Sequence, residues 1–330
     1  MKIKFLVIRL SSIGDIVLTT PVVRCLKKQV AGAEVHFVTK KKYKPLVSSN
    51  PYIEKVHALS GNFPELTGQL KQEQFDYIID LHQNFRSNRI KNRLGVPAFS
   101  FKKLNFEKFL LVNFKINRLP EKHIVDRYLE TLSVFDVKND DAGLDFFIPE
   151  NETFNLSELP ETHRNGYVAF VVAGTWETKK LPVGKVAEIC NGMPFPVILL
   201  GGRLESEEGE KIAALTGDNV LNLTGKISLN ESASLVRDAR VVLTNDTGLM
   251  HIAAAYKKKI LSFWGNTVPQ FGMYPYQAHP ASAMLEVAGL KCRPCSKLGY
   301  HSCPKKHFRC MEEQNVKKAV DWVTKNFDSD

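Results

Sequence analysis

The sequence predicts an α/β protein with two domains, each built on a parallel β-sheet with helices on both faces. The chain has 330 residues, of which 44% are hydrophobic, and this is enough for two domains of ordinary size. Short β-branched runs alternate with helical patterns along the whole chain. A glycine turn follows an early strand in each half, at Gly14 and at Gly201. Each half is therefore typical of a Rossmann-like, doubly wound domain, and we expect the two domains to face one cleft.

The first half begins with a buried strand, a turn that contains Gly14, and a helix with Pro21 near its first turn. Three further apolar runs predict short strands, and residues 40–44 predict a basic helix start. The last of these runs is followed by polar residues 80–87, which we expect at the strand's carboxyl end. The predicted strands are residues 4–10, 35–39, 56–59 and 77–81, and the predicted longer helices are residues 16–29 and 125–135.

Residues 99–114 combine aromatic and basic side chains with weak periodicity, so we expect helix and loop there. Phenylalanines are too frequent in this segment for an ordinary exposed loop. We expect most of them to be packed, and the others to form a lip for an amphipathic ligand or to touch a membrane surface. They are Phe99, Phe101, Phe106, Phe109 and Phe114.

A polar, proline-containing segment at residues 149–165 is typical of a linker. It divides the chain into a first domain of residues 1–160 and a second of residues 161–330. The alternation of strands and helices then begins again, and a terminal helix at about residues 312–327 can pack back on the first domain. The predicted strands are residues 167–172, 196–200, 220–223, 241–244 and 260–264, and the other helices are residues 183–192, 205–215, 229–237 and 249–256.

The first candidate for a ligand site is the point where the strand at residues 241–244 leads into the next helix. Asp246 or Thr247 can cap that helix, and its free N–H groups and dipole would suit a phosphate above Gly248. His251 falls four residues after Thr247, so both can lie on one helix face. On spacing alone, a capped turn with a structural histidine is an equally good interpretation.

Positive charge is concentrated in the first half of the chain. Residues 1–150 hold 24 Lys and Arg against 16 Asp and Glu, whereas residues 151–330 hold 21 against 19. Between Arg86 and Arg118 there are nine basic residues and one acidic residue, Glu107. This run predicts an anionic partner for the first domain, although a solvated basic face would have the same composition.

The composition favours a cytoplasmic protein. No stretch approaches the roughly 18 apolar residues of a membrane-spanning helix, and we expect no signal peptide. Six cysteines in a chain of this size are not a secreted disulfide framework. Four of them form a C-x2-C-x7-C-x6-C pattern that would suit a structural zinc ion, although packed or redox-labile thiols explain it as well. These four are Cys292, Cys295, Cys303 and Cys310.

Three stretches of the chain carry a family resemblance when they are taken together. They are RLSSIGDIVLTTP at residues 9–21, FDYIIDLHQNFRS at residues 75–87, and TNDTGLMHIAAA at residues 244–255 with the FWGNT that follows. In this order they resemble the bacterial heptosyltransferases of glycosyltransferase family 9, which build the lipopolysaccharide core. The resemblance implies a two-domain GT-B fold, with the acceptor in the first domain and the nucleotide-sugar donor in the second. It also implies an inverting transfer, usually from ADP-heptose, that requires no cofactor.

The resemblance assigns the catalytic base to Asp15, at the start of the first predicted helix. A carboxylate there can take the proton from an acceptor hydroxyl as it attacks the sugar. Asp15 can alternatively cap the helix, but Ser11 and Ser12 are also available as caps. The residues that we assign to the acceptor are Ser12, Gly14, Arg86 and Arg89.

The donor's diphosphate needs a positive environment, which a helix N-terminus supplies without a metal ion. The resemblance places Lys179 near the diphosphate as a second catalytic residue, with Lys180 as its rival. The chain has Leu181 where many members have Trp, and Asn266 where many have Pro, so the sugar and the base stay open. The predicted donor-binding residues are Thr175 and Lys179 for the phosphates, Glu205 for the ribose, Ile227 for the base, and Asp246, Thr247, Gly248 and His251 around the helix start.

The leading hypothesis is an inverting glycosyltransferase that works at the cytoplasmic face of the inner membrane on an anionic glycolipid. The alternatives are a transferase for another nucleotide sugar, and a non-catalytic protein that binds nucleotides or polyanions. The joint presence of Asp15, Lys179 and Asp246 favours the enzyme, because a binding module needs no base. The expected partners are a nucleotide sugar, the glycolipid and an anionic membrane surface, and no nucleic acid.

Overall fold

The computed structural model describes residues 2–329, which form two compact units. The first unit contains the residues up to Leu104 together with Glu121–Phe147. The second contains Asn105–Pro120 together with the residues from Ile148 onward. The main boundary therefore follows residue 147, whereas the sequence placed it at residue 160.

The segment Asn105–Pro120 lies in the chain between two parts of the first unit, yet it belongs to the second. Leu111 packs there against Val268, and Nζ of Lys115 donates a hydrogen bond to the carbonyl oxygen of Pro294 at 2.7 Å. All these contacts join residues that are far apart in the chain. Local periodicity carries no information on them, so the sequence placed the segment in the first domain.

The first unit is built on a sheet of five parallel strands. The strands are β1 (Ile3–Ile8), β2 (Ala33–Lys40), β3 (Lys55–Leu59), β4 (Tyr77–Asp80) and β5 (Ala98–Ser100). The helices up to the second sheet are α1 (Ile13–Val17), α2 (Thr20–Gln29), α3 (Phe63–Gln72), α4 (Phe85–Leu94), α5 (Asn105–Phe114, in the second unit) and α6 (Ile124–Leu129). The order β3-β2-β1-β4-β5 is that of a Rossmann sheet and reverses between β1 and β4. Four strands confirm the prediction, whereas β5, with three residues, is too short to show a period.

The predicted helix at residues 16–29 is two helices in the structure. α1 ends at Val17, and α2 begins at Thr20. Pro21 explains the break, because it has no N–H to donate to the carbonyl of Val17 and its ring would collide with that carbonyl. The break leaves α1 as a separate helix of five residues that carries Asp15 in its first turn.

The second unit is built on a sheet of six parallel strands. The strands are β6 (Val168–Val171), β7 (Val197–Leu200), β8 (Val220–Asn222), β9 (Val241–Asn245), β10 (Lys259–Trp264) and β11 (Ala283–Glu286). The helices are α7 (Glu161–Arg164), α8 (Val183–Asn191), α9 (Ser206–Ala214), α10 (Leu229–Asp238), α11 (Gly248–Ala255), α12 (Arg309–Glu312) and α13 (Val316–Asn326). The order β11-β10-β9-β6-β7-β8 is again that of a Rossmann sheet and reverses between β9 and β6. The prediction missed only β11, a short edge strand.

The predicted terminal helix is divided into α12 and α13, because the side chain of Asn315 caps a new helix by accepting a hydrogen bond from the N–H of Lys318. Ala319 and Val323 of α13 are buried in the core of the second unit, together with Ile189 of α8. The buried face of α13 therefore packs in the core of the second unit, and not on the first domain as expected.

The five phenylalanines of the aromatic segment are divided between interior and surface. Phe101 is buried, and Phe99 packs against other aromatic rings of the first unit. Phe106, Phe109 and Phe114 are 65%, 52% and 61% exposed. The prediction that most of the five are packed is therefore wrong, because α5 turns its aliphatic side towards the core. Neither α5 nor any other helix within residues 2–329 is long and apolar enough to cross a bilayer.

Candidate active site

The first unit gathers polar residues where its strand order reverses. β1 is followed by the turn into α1, and its neighbour β4 is followed by the turn into α4. Because parallel neighbours end at the same edge of a sheet, the two turns lie side by side. The predicted residues Ser12, Gly14 and Asp15 belong to the first turn, and Arg86 and Arg89 follow the second.

Asp15 is held by two neighbours. Its Oδ2 accepts hydrogen bonds from the backbone N–H and the hydroxyl of Ser12, at 3.1 and 2.7 Å, and its Oδ1 lies 2.6 Å from Nη2 of Arg9. Burial would raise the pKa of Asp15, but the charge of Arg9 and the bonds from Ser12 outweigh it and hold the pKa below its ordinary value. The side chain is 22% exposed. Asp15 is therefore ionised at neutral pH. It stabilises the first turn of α1 through its bonds with Ser12, and its side chain remains accessible to solvent.

Arg9 connects the two turns. Its buried guanidinium donates to the carbonyl oxygen of Leu81, just after β4, and to the hydroxyl of Tyr128 at 3.0 Å. Its Nε donates to the carbonyl oxygen of Ser11 at 2.8 Å. Burial raises the pKa of Tyr128 to about 12, so this phenol stays neutral. Sequence reasoning did not select Arg9, although a charged residue near the end of a predicted buried strand was an available signal.

Asp80 organises the turn after β4. Its fully buried carboxylate accepts hydrogen bonds from the N–H of His82 at 3.0 Å and from the hydroxyl of Ser87 at 2.9 Å, and it lies 2.9 Å from Nζ of Lys91. Burial, followed by nearby positive charge, lowers the pKa of His82 to about 4, so the imidazole is neutral at neutral pH. The sequence predicted a polar turn here, but it did not indicate that Asp80 is the residue that holds it.

A basic cavity of about 490 Å³ follows the second and third strands of the first unit. The predicted acceptor residues Arg86 and Arg89 line it, and the guanidinium of Arg89 lies over the ring of Phe63, 4.3 Å from its centroid. Within residues 2–329, none of its cations forms an ion pair with a carboxylate, so their charge is available to an anion. The cations of the basic cavity are Lys40, Lys41, Lys42, Arg86 and Arg89.

The other members of the predicted basic run are dispersed. Lys91 pairs with Asp80, and Lys115 binds a carbonyl oxygen of the second unit. The run from Arg86 to Arg118 therefore does not form one surface. The basic cavity takes its remaining charge from residues 40–42, which the sequence had marked only as a basic helix start.

In the second unit, three loops meet at the strand reversal between β9 and β6. Lys179 lies on the loop after β6, Asp246 follows β9, and Thr267 follows β10. Nζ of Lys179 is 2.5 Å from Oδ2 of Asp246, and the hydroxyl of Thr267 donates to the same oxygen at 2.9 Å. Asp246 therefore fixes a positive charge beside the start of α11. Thr267 ends the FWGNT stretch that carries part of the family resemblance, but it was not selected as a site residue.

α11 begins without a side-chain cap, contrary to prediction. Thr247 is the N-cap residue, but its side chain accepts no hydrogen bond from the first turn. Asp246 turns instead towards Lys179 and Thr267. The N–H groups of the first turn, beginning at Gly248, thus keep their capacity for an anionic ligand. His251 is buried in this same first turn.

Lys179 and the adjacent Lys180 have different partners in the structure. Lys180 is buried, and its Nζ lies 2.7 Å from carboxylates of both Glu177 and Glu208. Its side chain also packs against Gly174, where any larger residue would collide with it. Lys180 is therefore engaged in internal ion pairs, whereas Lys179 lies beside the start of α11.

Glu205 joins two loops of the second unit. Its Oε2 accepts a hydrogen bond from the N–H of Gly202 at 2.9 Å, and the N–H of Gly174 is a further donor to the carboxylate. Burial nevertheless raises the pKa of Glu205. Thr175 is exposed on the loop after β6, and Ile227 is half-buried on the loop after β8. All three positions follow carboxyl ends of strands in the second sheet.

Comparison with known proteins establishes the family of this chain. The model of glycosyltransferase family 9 (heptosyltransferase) matches residues 64–301, well over half of the chain. The chain belongs to this family. Lipopolysaccharide heptosyltransferase 1 of Campylobacter coli is 26% identical over 289 residues, which cover 80% of this chain and 84% of the relative. The protein is thus a glycosyltransferase, as predicted.

Two solved structures show the fold of this family 9 glycosyltransferase. E. coli ADP-heptose LPS heptosyltransferase II superposes with a TM-score of 0.76 at 20% identity, over 99% of this chain and 98% of the other. E. coli heptosyltransferase WaaC with ADP-2-deoxy-2-fluoro heptose superposes with a TM-score of 0.68 at 18% identity, over 98% and 100%. The predicted GT-B fold is confirmed.

One group of metal-ligating residue types in the glycosyltransferase was not predicted. His36, His57 and Glu73 present ligand atoms within 4.8 Å of one another. His36 Nδ1 and His57 Nε2 are 3.0 Å apart, as in a hydrogen bond, and Glu73 forms an ion pair with Lys55. Burial, followed by the charge of His36, lowers the pKa of His57 to about 4. These partners satisfy the group, so we interpret it as a polar contact between β2 and β3.

The four predicted cysteine ligands share one neighbourhood of the second unit. Cys292 Sγ lies 3.8 Å from Nε2 of His307. Burial, and to a smaller extent the charge of the other three thiols, raises the pKa of Cys310 to about 12. All four are free thiols, and only Cys310 is buried. Within residues 2–329, however, the four thiols do not form a group of three or more ligand atoms close enough together to hold a metal ion, so the ligand cluster that the spacing suggested is not seen.

Proposed function

We propose that this glycosyltransferase moves a heptose from ADP-heptose to an anionic lipopolysaccharide core acceptor, with inversion at the anomeric carbon. The substrates are supported by the relatives, one of which is a lipopolysaccharide heptosyltransferase and another of which binds an ADP-heptose analogue. The mechanism depends on one observation above all, the ionised and accessible carboxylate of Asp15 beside Arg9. We place the reaction at the cytoplasmic face of the inner membrane, where a lipid-linked acceptor would meet the enzyme.

Asp15 acts as the general base in this proposal. The acceptor hydroxyl attacks the anomeric carbon, the bond from that carbon to the diphosphate oxygen breaks, and the hydroxyl proton passes to Asp15. A carboxylate of low pKa accepts the proton late, when the new bond has made the hydroxyl acidic. Arg9 keeps Asp15 ionised and oriented beforehand, so little reorganisation is needed at the moment of reaction.

Replacing the base gives the first test. Asp15→Asn keeps the shape of the side chain and removes the proton acceptor, so we expect donor affinity to be kept and turnover to fall by about 10²- to 10⁴-fold. The melting temperature should fall as well, because the buried Arg9 loses its charged partner. Since Arg9 and Ser12 hold the pKa of Asp15 below the ordinary aspartate value, wild-type turnover should show no loss from this residue when the pH falls from about 7 to 5. The measurement is ADP release across that pH range.

Asp136→Asn is the matched control, because Asp136 is an exposed residue of the same unit in a left-handed turn that Asn also tolerates. It should behave as wild type. Near wild-type turnover in Asp15→Asn would exclude Asp15 as the base.

The donor site of the proposal is the start of α11 with Lys179. An ammonium group has three N–H donors, and one of those on Lys179 is directed to Asp246. The other two are left for the diphosphate, beside the N–H groups of Thr247 and Gly248. These charges stabilise the leaving group as the sugar departs. Thr175 and His251 would add further phosphate contacts.

The remaining donor contacts follow the other strands of the second sheet. The carboxylate of Glu205 can accept more hydrogen bonds than the two that Gly202 and Gly174 donate. It would accept the others from the ribose hydroxyls. Ile227 would offer main-chain groups to the base. Both assignments carry over from the family resemblance, and their positions after β7 and β8 agree with it.

The two lysines of the loop after β6 give the second test. Lys179→Ala should weaken ADP binding by about 10- to 100-fold and adenosine binding far less, because the lost contact is to charged phosphate. Lys180→Ala should instead lower the melting temperature, since Lys180 serves two internal ion pairs. Calorimetry with both ligands and thermal unfolding make the comparison. An equal loss of ADP and adenosine affinity in Lys179→Ala would contradict the diphosphate role.

The basic cavity is the proposed site for the acceptor's phosphates or carboxylates, and Ser12 and Gly14 would meet the reacting sugar. Replacing Arg86 and Arg89 together by Gln should raise the acceptor KM and leave donor affinity intact, since the donor residues lie in the other unit. Added salt should raise the wild-type KM as well. The control is Lys71→Gln with Lys138→Gln, which removes the same charge from exposed positions of the first unit. An unchanged KM in the arginine variant would remove both residues from the acceptor site.

We propose further that the four cysteines hold a structural metal ion, zinc or iron, outside the catalytic chemistry. Thiolates are ligands that these ions favour, and binding would draw the four thiols closer together than they lie in this structure. Residues 287–308, between β11 and α12, have no helix or strand of their own. This loop supports the donor site, because the N–H of Tyr300 donates to the hydroxyl of Thr178 at 2.8 Å, next to Lys179.

Metal content tests this part of the proposal. The purified protein should carry about one equivalent of zinc or iron by elemental analysis. Cys292→Ser with Cys303→Ser should lose it and melt at a lower temperature. Cys190→Ser, which alters a buried thiol elsewhere in the same unit, should keep it. Metal-free wild type, or an unchanged content in the double variant, would show that the thiols are only packed.

A further inference from the structure

An aromatic face on α5 is left largely exposed within residues 2–329. It consists of Phe106, Phe109 and Phe114, all more than half exposed. Ile116, just beyond the helix, is 48% exposed. Single exposed apolar residues are ordinary, but four within eleven consecutive residues form a patch.

The aromatic face is distinct from the side that anchors the helix. Helical spacing places its three rings on one side of α5, while Leu111 turns away from them into the contact with Val268. The contact of Leu111 therefore explains why the helix is docked, but it does not explain why the opposite side is aromatic.

The charge around the aromatic face indicates what covers it. The segment Asn105–Pro120 contains Lys108, Lys115 and Arg118 against Glu107 alone. Aromatic rings flanked by basic residues are the composition of helices that lie in the interface of an anionic bilayer. A second copy of this chain is a poorer partner, because it carries the same net charge of +10 and would set like charges against each other.

We infer that α5 is a membrane-contact helix, which inserts the rings of its aromatic face among anionic lipid headgroups while the positive charge of its segment, including the exposed Arg118, attracts the phosphates. The inference deepens the proposed function and rests on one part of it, namely that the acceptor is a lipid. Binding to the bilayer itself requires no catalysis. The helix would hold the enzyme on the surface where its acceptor lies.

The experiment is sedimentation of the full-length protein with vesicles of phosphatidylcholine, with and without about one third phosphatidylglycerol. Wild type should bind the anionic vesicles, and binding should weaken with salt. Phe106→Ser with Phe109→Ser and Phe114→Ser should weaken it by at least about tenfold at every salt concentration, because the apolar contact is lost. Arg118→Gln should weaken it only at low salt.

The matched control replaces three exposed apolar residues elsewhere, Val134, Leu156 and Leu215, by Ser. It should bind vesicles as wild type does. Because the rings are exposed and Leu111 is kept, the phenylalanine variant should unfold at the wild-type temperature. If it does not fold, the single change Phe106→Ser should still give a partial loss.

Two results would overturn the inference. One is equal vesicle binding by wild type and the phenylalanine variant. The other is a wild-type dimer, seen by light scattering after size exclusion, that the same variant converts to a monomer, since the aromatic face would then bind a second copy. Turnover of a short, lipid-free acceptor should be equal in wild type and variant. Failure of wild type in that assay would refute the proposed function and leave the vesicle result standing.

Discussion

Both turns at the strand reversal of the first unit depend on the buried guanidinium of Arg9. A buried charge is costly unless it is paired and hydrogen-bonded, and Arg9 meets this condition by binding groups from both turns at once. It pairs with Asp15 after β1, and it donates to the carbonyl oxygen of Leu81 after β4 and to the hydroxyl of Tyr128. The same contacts that satisfy the guanidinium keep Asp15 ionised and oriented.

The second unit also has an ion pair at its strand reversal, but here the carboxylate holds the positive group in place. There the carboxylate of Asp246 fixes the ammonium of Lys179, with the hydroxyl of Thr267 on the same oxygen. One unit thus holds a carboxylate in place, and the other holds an ammonium group beside a helix start that has no side-chain cap. In the proposed function, the carboxylate serves the attacking hydroxyl and the ammonium group serves the leaving diphosphate.

Much of the fold could be predicted because buried parallel strands are nearly continuous apolar runs, which need no knowledge of their partners. Nine of the strands were expected close to their observed positions, and the two that were missed, β5 and β11, are short strands at sheet edges. Breaks between helices were harder to predict from the sequence. Pro21 divides α1 from α2, but a proline near the start of a helix usually favours that helix, so the pattern alone did not indicate two.

The sequence by itself determined the two Rossmann-like sheets, the motifs at their carboxyl ends and the family, because these are carried by consecutive residues. Tertiary structure alone decided which charges lie next to each other. Lys180 forms ion pairs with Glu177 and Glu208, whereas Lys179 lies beside the start of α11. In the first unit, one cavity is lined by residues from distant parts of the chain, namely Lys40, Lys41, Lys42, Arg86 and Arg89. Tertiary structure also placed α5 in the second unit with its phenylalanines outward. The physical reason is the same in each case: the energy of a charge or an aromatic ring depends on neighbours distant in the chain, and no local pattern records them.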